Sequence, residues 1–200
     1  MTFNKKNLEI KLSKLEPFNF PKNYLEQYPT ESSVAAGLVW QAYLEGNIFK
    51  KTILDAGAGT GILSYGALSL GCEFLTAVEI DNDQKQVIEK NLSSFQNKEI
   101  IIDNISSIRR RFDTVLCNPP FGAVRRDADI PFLERIFTLG NSVYIIHNLV
   151  NDEFMTKLVS EHGEIISKNT VKMGIPMMYS HHTMERKNID LIVYSVRSFY

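Results

Sequence analysis

The sequence is poor in cysteine. Two occur in 200 residues, Cys72 and Cys117, each in an apolar context and not in a C-x-x-C pair. This excludes a disulfide framework, and both read as reduced core thiols of an intracellular protein. Long apolar runs are also missing: none approaches the ~18 residues a membrane span needs. The N-terminal stretch MTFNKKNLEIKLSKLE lacks the apolar core of a signal peptide, so the cytoplasm is the expected location and no membrane partner is expected. Nor is there an excess of either charge. The 22 Lys and Arg against 23 Asp and Glu leave a formal net charge of -1, so any contact with nucleic acid must use local basic patches. Internal repeats and low-complexity segments are absent as well. What is present, 44% hydrophobic and 22% charged residues, suits one globular domain with a sizeable core.

Leu8, Leu12 and Leu15 recur at helical spacing within residues 5–16. A Pro-flanked segment, Pro17-Phe18-Asn19-Phe20-Pro21, comes next. Leu25-Glu26-Gln27-Tyr28-Pro29-Thr30 then leads into a predicted helix from Ser33 to Glu45, with Thr30 or Ser32 as its cap. From Lys51 onward strands and helices alternate. Strands are predicted over residues 52–55, 74–79, 99–103, 112–117 and 143–147, and helices over 62–70, 83–95, 131–139 and 152–162. Two tail strands, 164–173 and 189–197, have no helix between them. The pattern predicts an α/β fold: a mainly parallel seven-stranded sheet, helices on both faces and an antiparallel addition at one edge. Residues 1–50 read as a helical extension on a compact unit, 51–200.

Chemistry-bearing residues fall at predicted strand ends. Asp55-Ala-Gly57-Ala-Gly59-Thr60-Gly61 follows the first strand and opens a helix at Ile62. Its glycines let the backbone approach a ligand closely and set a helix N-terminus beside it. The pattern is G-x-G-x-G, not the G-x-G-x-x-G of dinucleotide enzymes. Glu79 ends the second strand and is placed to accept from ribose hydroxyls. Asp103, with Asn104 beside it, ends the third and can accept from an adenine amino group. Asp81 reads equally well as an acid at a helix start. Asn118-Pro119-Pro120-Phe121 ends the fourth strand. The prolines remove two backbone donors and stiffen the turn. Asn118 and the local carbonyls then offer acceptors, and Phe121 a stacking face, to a flat group bearing an NH2: adenine, guanine or a carboxamide. The four histidines show no metal-ligand spacing.

The glycine loop resembles motif I of class I S-adenosylmethionine-dependent methyltransferases, and Asn118-Pro-Pro-Phe121 resembles motif IV of the amino-methyltransferases. With Leu25-Glu-Gln-Tyr-Pro-Thr30, Phe132-Leu133 and the Ser180-His-His182 region before Asp190-Leu191, the chain resembles the methyltransferase-like protein 5 family of ribosomal-RNA adenine-N6 methyltransferases and its archaeal relatives. The resemblance implies a Rossmann-like class I methyltransferase fold, with residues 1–50 as a lid over S-adenosyl-L-methionine. It places Gln27, Thr30, Gly57, Thr60, Ile62, Glu79, Asp103 and Asn104 around that cofactor and Tyr28 over it. Asn118 and Pro119 would accept from the adenine N6 hydrogens while Phe121 stacks on the base. Arg125 and Arg126, just past that turn, and His181 and His182 are the basic groups placed to contact RNA. The third strand is expected at a sheet edge, and its apolar Ile100-Ile101-Ile102 invites pairing. The resemblance implies a small zinc-ribbon activator subunit there, at Glu99–Asp103. Methylation of a glutamine carboxamide or of DNA adenine is the alternative chemistry, and a non-catalytic cofactor-binding scaffold the alternative class.

Overall fold

The computed structural model describes residues 4–25, 27, 29–119, 130–176 and 186–200. Seven strands form one sheet: β1 (Thr52–Ala56), β2 (Phe74–Glu79), β3 (Lys98–Ile102), β4 (Phe112–Cys117), β5 (Gly140–Asn148), β6 (Gly163–Pro176) and β7 (Arg186–Ser198). Their order is β3-β2-β1-β4-β5-β7-β6. The first five run parallel, β7 returns antiparallel beside β5, and among the described residues β6 pairs only with β7. This is the Rossmann-like arrangement expected of a class I methyltransferase, with β3 at one edge and β6 at the other.

Alternation along the strands explains the layers, because successive side chains point to opposite faces. Ile53, Leu75, Leu116, Tyr144 and Ile146 join a core with α1 (Lys5–Leu12), α2 (Ser32–Leu44), α3 (Ile62–Ser69) and Ile88 of α4 (Lys85–Asn91). Their neighbours Leu54, Val78, Val115, Cys117, Val143 and Ile145 pack on the other face with α5 (Ile130–Leu139) and α6 (Asp152–His162). Leu8 and Leu12 are buried in the first core, so α1 belongs to the body of the fold.

Several boundaries differ from the sequence reading. The helix expected over 83–95 is a 3-10 turn, Asn82–Gln84, followed by the shorter α4. Asp81 caps that turn by accepting from the Asp83 N–H, and the tight turn rotates Gln84 inward. The third strand stops at Ile102, leaving Asp103 just beyond it. Neither Thr30 nor Ser32 caps α2: the N-cap is Glu31, with no side-chain cap bond. Thr30 and Glu31 use their side chains on distant partners instead, Asn118 and Gly174. The tail strands are longer than expected. Pairing with β5 ends at Asn148↔Leu191, so Arg186–Asp190 and the facing part of β6 form an arm beyond the end of β5. Among the described residues no helix is long and apolar enough to cross a membrane.

The segment between α1 and α2 is attached to the 3-10 turn and α4 by two inward-facing amides, Gln84 and Asn91. Asn91 accepts from the Glu16 N–H at 2.8 Å and donates to the Glu16 carbonyl at 3.1 Å and to the Thr60 carbonyl at 2.9 Å. Gln84, fully buried, accepts from the Asn19 N–H at 3.0 Å and donates to its carbonyl at 2.7 Å. An amide side chain carries the donor and acceptor that match a peptide unit. Asn91→Leu should therefore lower unfolding free energy by about 2 kcal/mol. In hydrogen exchange, Glu16 should lose its protection while the β1 amides keep theirs.

Candidate active site at the C-terminal rim

Parallel strands bring their C-terminal ends to one rim, where open α/β sheets bind ligands. Here β1 delivers Asp55 and the glycine loop, β2 delivers Glu79, and β4 delivers Asn118. Gly57, Gly59 and Gly61 have φ of 72°, 56° and 80°, a region that L side chains rarely adopt. The loop turns back on β2, and the Gly57 and Ala58 N–H groups both donate to the Val78 carbonyl at 2.9 Å. A Cβ at Gly59 would lie 2.8 Å from the Phe18 ring, so that ring rests on the loop.

Three carboxylates are buried here. Asp55 is 1% exposed; its Oδ2 accepts from the Ser64 N–H at 2.9 Å and hydroxyl at 2.6 Å. Its Oδ1 has no partner among the described residues. Burial pushes this carboxyl up to about 6, against the pull of the Ser64 hydrogen bonds, and the nearby Glu79 charge adds to the rise. Glu79 is also raised by burial, although backbone N–H groups oppose this. Its Oε2 accepts from the Gly59 N–H at 2.7 Å and its Oε1 from the Asp81 N–H at 2.9 Å. Glu79 thus fixes the central glycine of the loop.

Burial alone would raise Asp81, yet its donors hold it down to about 2. Lys22 Nζ lies 2.5 Å from Oδ1 and 2.8 Å from the Asp83 carboxylate; Gln27 Nε2 lies 2.8 Å from Oδ2. These two acids keep the Lys22 ammonium well above its ordinary pKa. The Gln27 oxygen accepts from the Lys22 N–H at 2.8 Å. Gln27, expected at the cofactor, thus has both ends of its amide joined to the clasp that holds the N-terminal segment down.

Asp103 and Asn104 are exposed beside this group. The Asp103 N–H donates to the Glu79 carbonyl at 3.0 Å, and the Asn104 side chain accepts from the Ser106 N–H at 2.9 Å. Thr60 is buried and Ile62 opens α3. At the end of β4, Asn118 Nδ2 donates to Thr30 Oγ1 at 2.7 Å, while Asn118 Oδ1 is buried with no partner among the described residues. Pro119 is buried behind it. Tyr28, Pro120, Phe121, Arg125, Arg126, His181 and His182 lie outside the described residues. Sequence reasoning missed Phe18, Lys22, Gln84 and Asn91. The one available signal was Phe18 within a Pro-flanked aromatic segment; the polar three look like surface positions until the chain is folded.

A protein-family model described as Conserved hypothetical protein 95 matches residues 24–179, from the start of the Gln27–Thr30 run through the glycine loop and Asn118. The chain belongs to that family. Within the Conserved hypothetical protein 95 fold, the expected likeness to methyltransferase-like protein 5 holds over almost the full length. The zebrafish (Danio rerio) rRNA N(6)-adenosine-methyltransferase METTL5 is 29% identical over 96% of this chain and 97% of its own. A candidate RNA methyltransferase of Pyrococcus horikoshii, PH1948, is 39% identical with a TM-score of 0.91, covering 99% of each chain. Thermoplasma acidophilum protein 1320 is 30% identical with a TM-score of 0.81, again over 99% of each.

Asp55 also sets a pH dependence. Its folded pKa lies above the ordinary value of 3.8. Its stabilising contribution is therefore complete below that value and lost as pH rises through about 6. Asp55→Asn should match the wild-type unfolding free energy at about pH 4 and exceed it by roughly 2–3 kcal/mol at about pH 8 without ligand. Calorimetry at the two pH values checks both the sign and the window.

Proposed function

We propose that the chain is an S-adenosyl-L-methionine-dependent adenine-N6 methyltransferase acting on structured RNA, with ribosomal RNA as the substrate. The observation that carries this reading is the Asn118 amide. Its nitrogen is held by Thr30, while its buried oxygen has no donor among the described residues. An exocyclic amine supplies the donor that this oxygen lacks. The METTL5 relative and PH1948 favour RNA over DNA or a protein glutamine as the source of that amine.

The rim suits the cofactor. A buried carboxylate oxygen without a donor at Asp55 would take the cofactor's ammonium group, and that charge would restore the ionised form which burial opposes. Gly57, Gly59, Thr60, Gly61 and Ile62 would form the cradle, and Glu79, Asp103 and Asn104 the ribose and adenine end. Of residues 1–50, α1 and α2 pack in the first core, and the segment between them, which carries Gln27, Tyr28 and Thr30, would act as the lid on the methyltransferase domain, 51–200. When bound, the cofactor supplies a methyl group already activated by its sulfonium. What the chain adds is mainly position. The target adenine enters unstacked, since N6 is unreachable within a stacked pair. Asn118 Oδ1 and the Pro119 carbonyl accept from the two N6 hydrogens, directing the nitrogen lone pair out of the ring plane. Phe121, beyond Pro120, stacks on the base, and Arg125, Arg126, His181 and His182 meet the RNA backbone.

The same reading includes a small zinc-ribbon activator subunit adding a strand to β3 at Glu99–Asp103. Support comes from β3 pairing, among the described residues, only with β2, at the sheet edge, with all five of its residues half-buried. Two free buried cysteines agree with work in the cytoplasm.

Tritiated S-adenosylmethionine should label ribosomal RNA, and not DNA or release factor, when each is offered separately; label in protein alone would overturn the reading. Asn118→Ala should lower transfer by about 100-fold or more while cofactor affinity stays near wild type. Co-expressed activator should co-elute with the chain in size exclusion, whereas two independent peaks count against the heterodimer.

A further inference from the structure

We infer that Lys22 and Asp81 are positioning residues for the methyl donor: their ion pair latches the Lys22–Gln27 stretch across the glycine loop, and donor exchange follows the opening of this latch. The inference rests on the proposed glycine-loop cradle and on the lid role of the segment that carries the stretch. That segment crosses the rim where it encloses a ligand. It is tied to Asp81 just past the end of β2 and, through Thr30, to Asn118 at the end of β4. β1 with its glycine loop lies between those two strands, and the Phe18 ring already rests on Gly59. A donor on the loop is therefore covered by chain while both ties are made.

The Lys22–Gln27 stretch is closed on itself. The Lys22 N–H donates to Gln27 Oε1 at 2.8 Å, and the Lys22 carbonyl accepts from the Leu25 and Gln27 N–H groups at 3.1 and 3.5 Å. Among the described residues, its polar ties to the rest of the chain are those to Asp81 and Asp83. Lys22 Nζ lies 2.5 and 2.8 Å from the two carboxylates, and Gln27 Nε2 lies 2.8 Å from Asp81 Oδ2. Apolar packing adds little, since Phe20 and Tyr24 are 79% and 69% exposed. Phe20 also stands at φ 48°, where a bulky side chain is strained. A closed form that is strained, thinly packed and held by charge opens at lower cost than the body beneath it. The chain on either side is fixed by other means: Asn19 by both groups of the buried Gln84 amide, and Glu31 by the Gly174 N–H and the first turn of α2. The latch also joins the cradle. The Asp81 N–H donates to Glu79 Oε1, and Glu79 Oε2 holds Gly59. Gln27 is oriented by the clasp and not used up by it, because an amide has a second N–H and a second lone pair.

The experiment compares wild type with Lys22→Met, which keeps an apolar stem and removes the charge, with Asp81→Asn, and with the double variant. The probe is tritiated S-adenosyl-L-methionine, whose dissociation is followed on filters after a chase with unlabelled donor. Lys22→Met should speed dissociation about 10-fold, while kcat at saturating donor stays within about threefold of wild type. Asp81→Asn should do the same, and the double variant should exceed either single one by less than about twofold. If Asp81→Asn does not fold, Asp83→Asn, at the half-exposed end of the same clasp, takes its place in the cycle. Three results would overturn the inference: a dissociation rate unchanged in Lys22→Met, a fall in kcat with donor affinity kept, or effects that multiply in the double variant. Donor dissociation needs no acceptor. If wild type labels no RNA, the proposed function fails, and the dissociation rates still decide the latch.

Discussion

Carboxylates buried at the end of β1 and β2 must find hydrogen-bond donors inside the protein, because burial denies them water. Much of the rim's construction follows from that need. Asp55 takes its donors from Ser64 and so docks the start of α3. Glu79 takes one from Gly59 and so closes the glycine loop. Asp81 takes Lys22 and Gln27 and so draws the N-terminal segment over the loop. Without Asp81 the Lys22–Gln27 stretch would keep only the Asp83 carboxylate among these contacts, and the Gln27 amide would lose its acceptor. Without Glu79 the loop would keep only the Val78 carbonyl as its tie to β2. The acids act first as joints between elements, and their readiness for a ligand depends on what those joints leave free.

The N-terminal segment is held differently. Gln84 and Asn91 each bind both backbone polar groups of one residue, Asn19 and Glu16, as a neighbouring strand would. Two side chains thus do the work of a strand pairing without adding a strand. Asn91 also reaches the Thr60 carbonyl, so one amide ties the segment and the glycine loop to α4 together. Phe18, between the two clamped residues, comes to rest where only a glycine at 59 leaves room. The cover over the loop and the absence of a side chain in the loop are therefore one feature, seen from two parts of the chain.

The sheet was legible because hydrophobic alternation and strand-end punctuation are local signals. The five parallel strands, the antiparallel tail and β3 at an edge all follow from them. The rim's glycines and acids were legible too, since a buried strand ending in an acid or amide is conspicuous. Gln84 and Asn91 were not. Each is a polar residue on a short helical segment, where polarity normally marks the solvated face; only partners 65 and 75 residues away show that they point inward. The break of the helix at Gln84 has the same origin, in a cap at Asp81 that amphipathic periodicity does not register. Thr30 was singled out by resemblance, but its hydrogen bond to a residue 88 positions away could not be read from a sequence that also offers it as a helix cap.

Three buried side-chain polar atoms have no partner among the described residues: Asp55 Oδ1, Asn118 Oδ1 and Arg135 Nε. The last belongs to a guanidinium whose terminal nitrogens already reach Ile108 and Thr138, so only a fraction of its capacity is unmet. The other two are acceptors at the ends of β1 and β4, neighbouring strands paired through Asp55↔Leu116 and Ala56↔Cys117. Strands so paired lie about 4.8 Å apart, so both acceptors sit on adjacent strand ends at one rim of the sheet. Each unmet acceptor costs about 1–3 kcal/mol, which a core gains nothing by keeping. Their chemistry differs: a carboxylate whose ionised form burial opposes calls for a cation, and a neutral amide oxygen for an N–H. On the proposed reading, the cationic methyl donor meets the first and the amine of its acceptor the second.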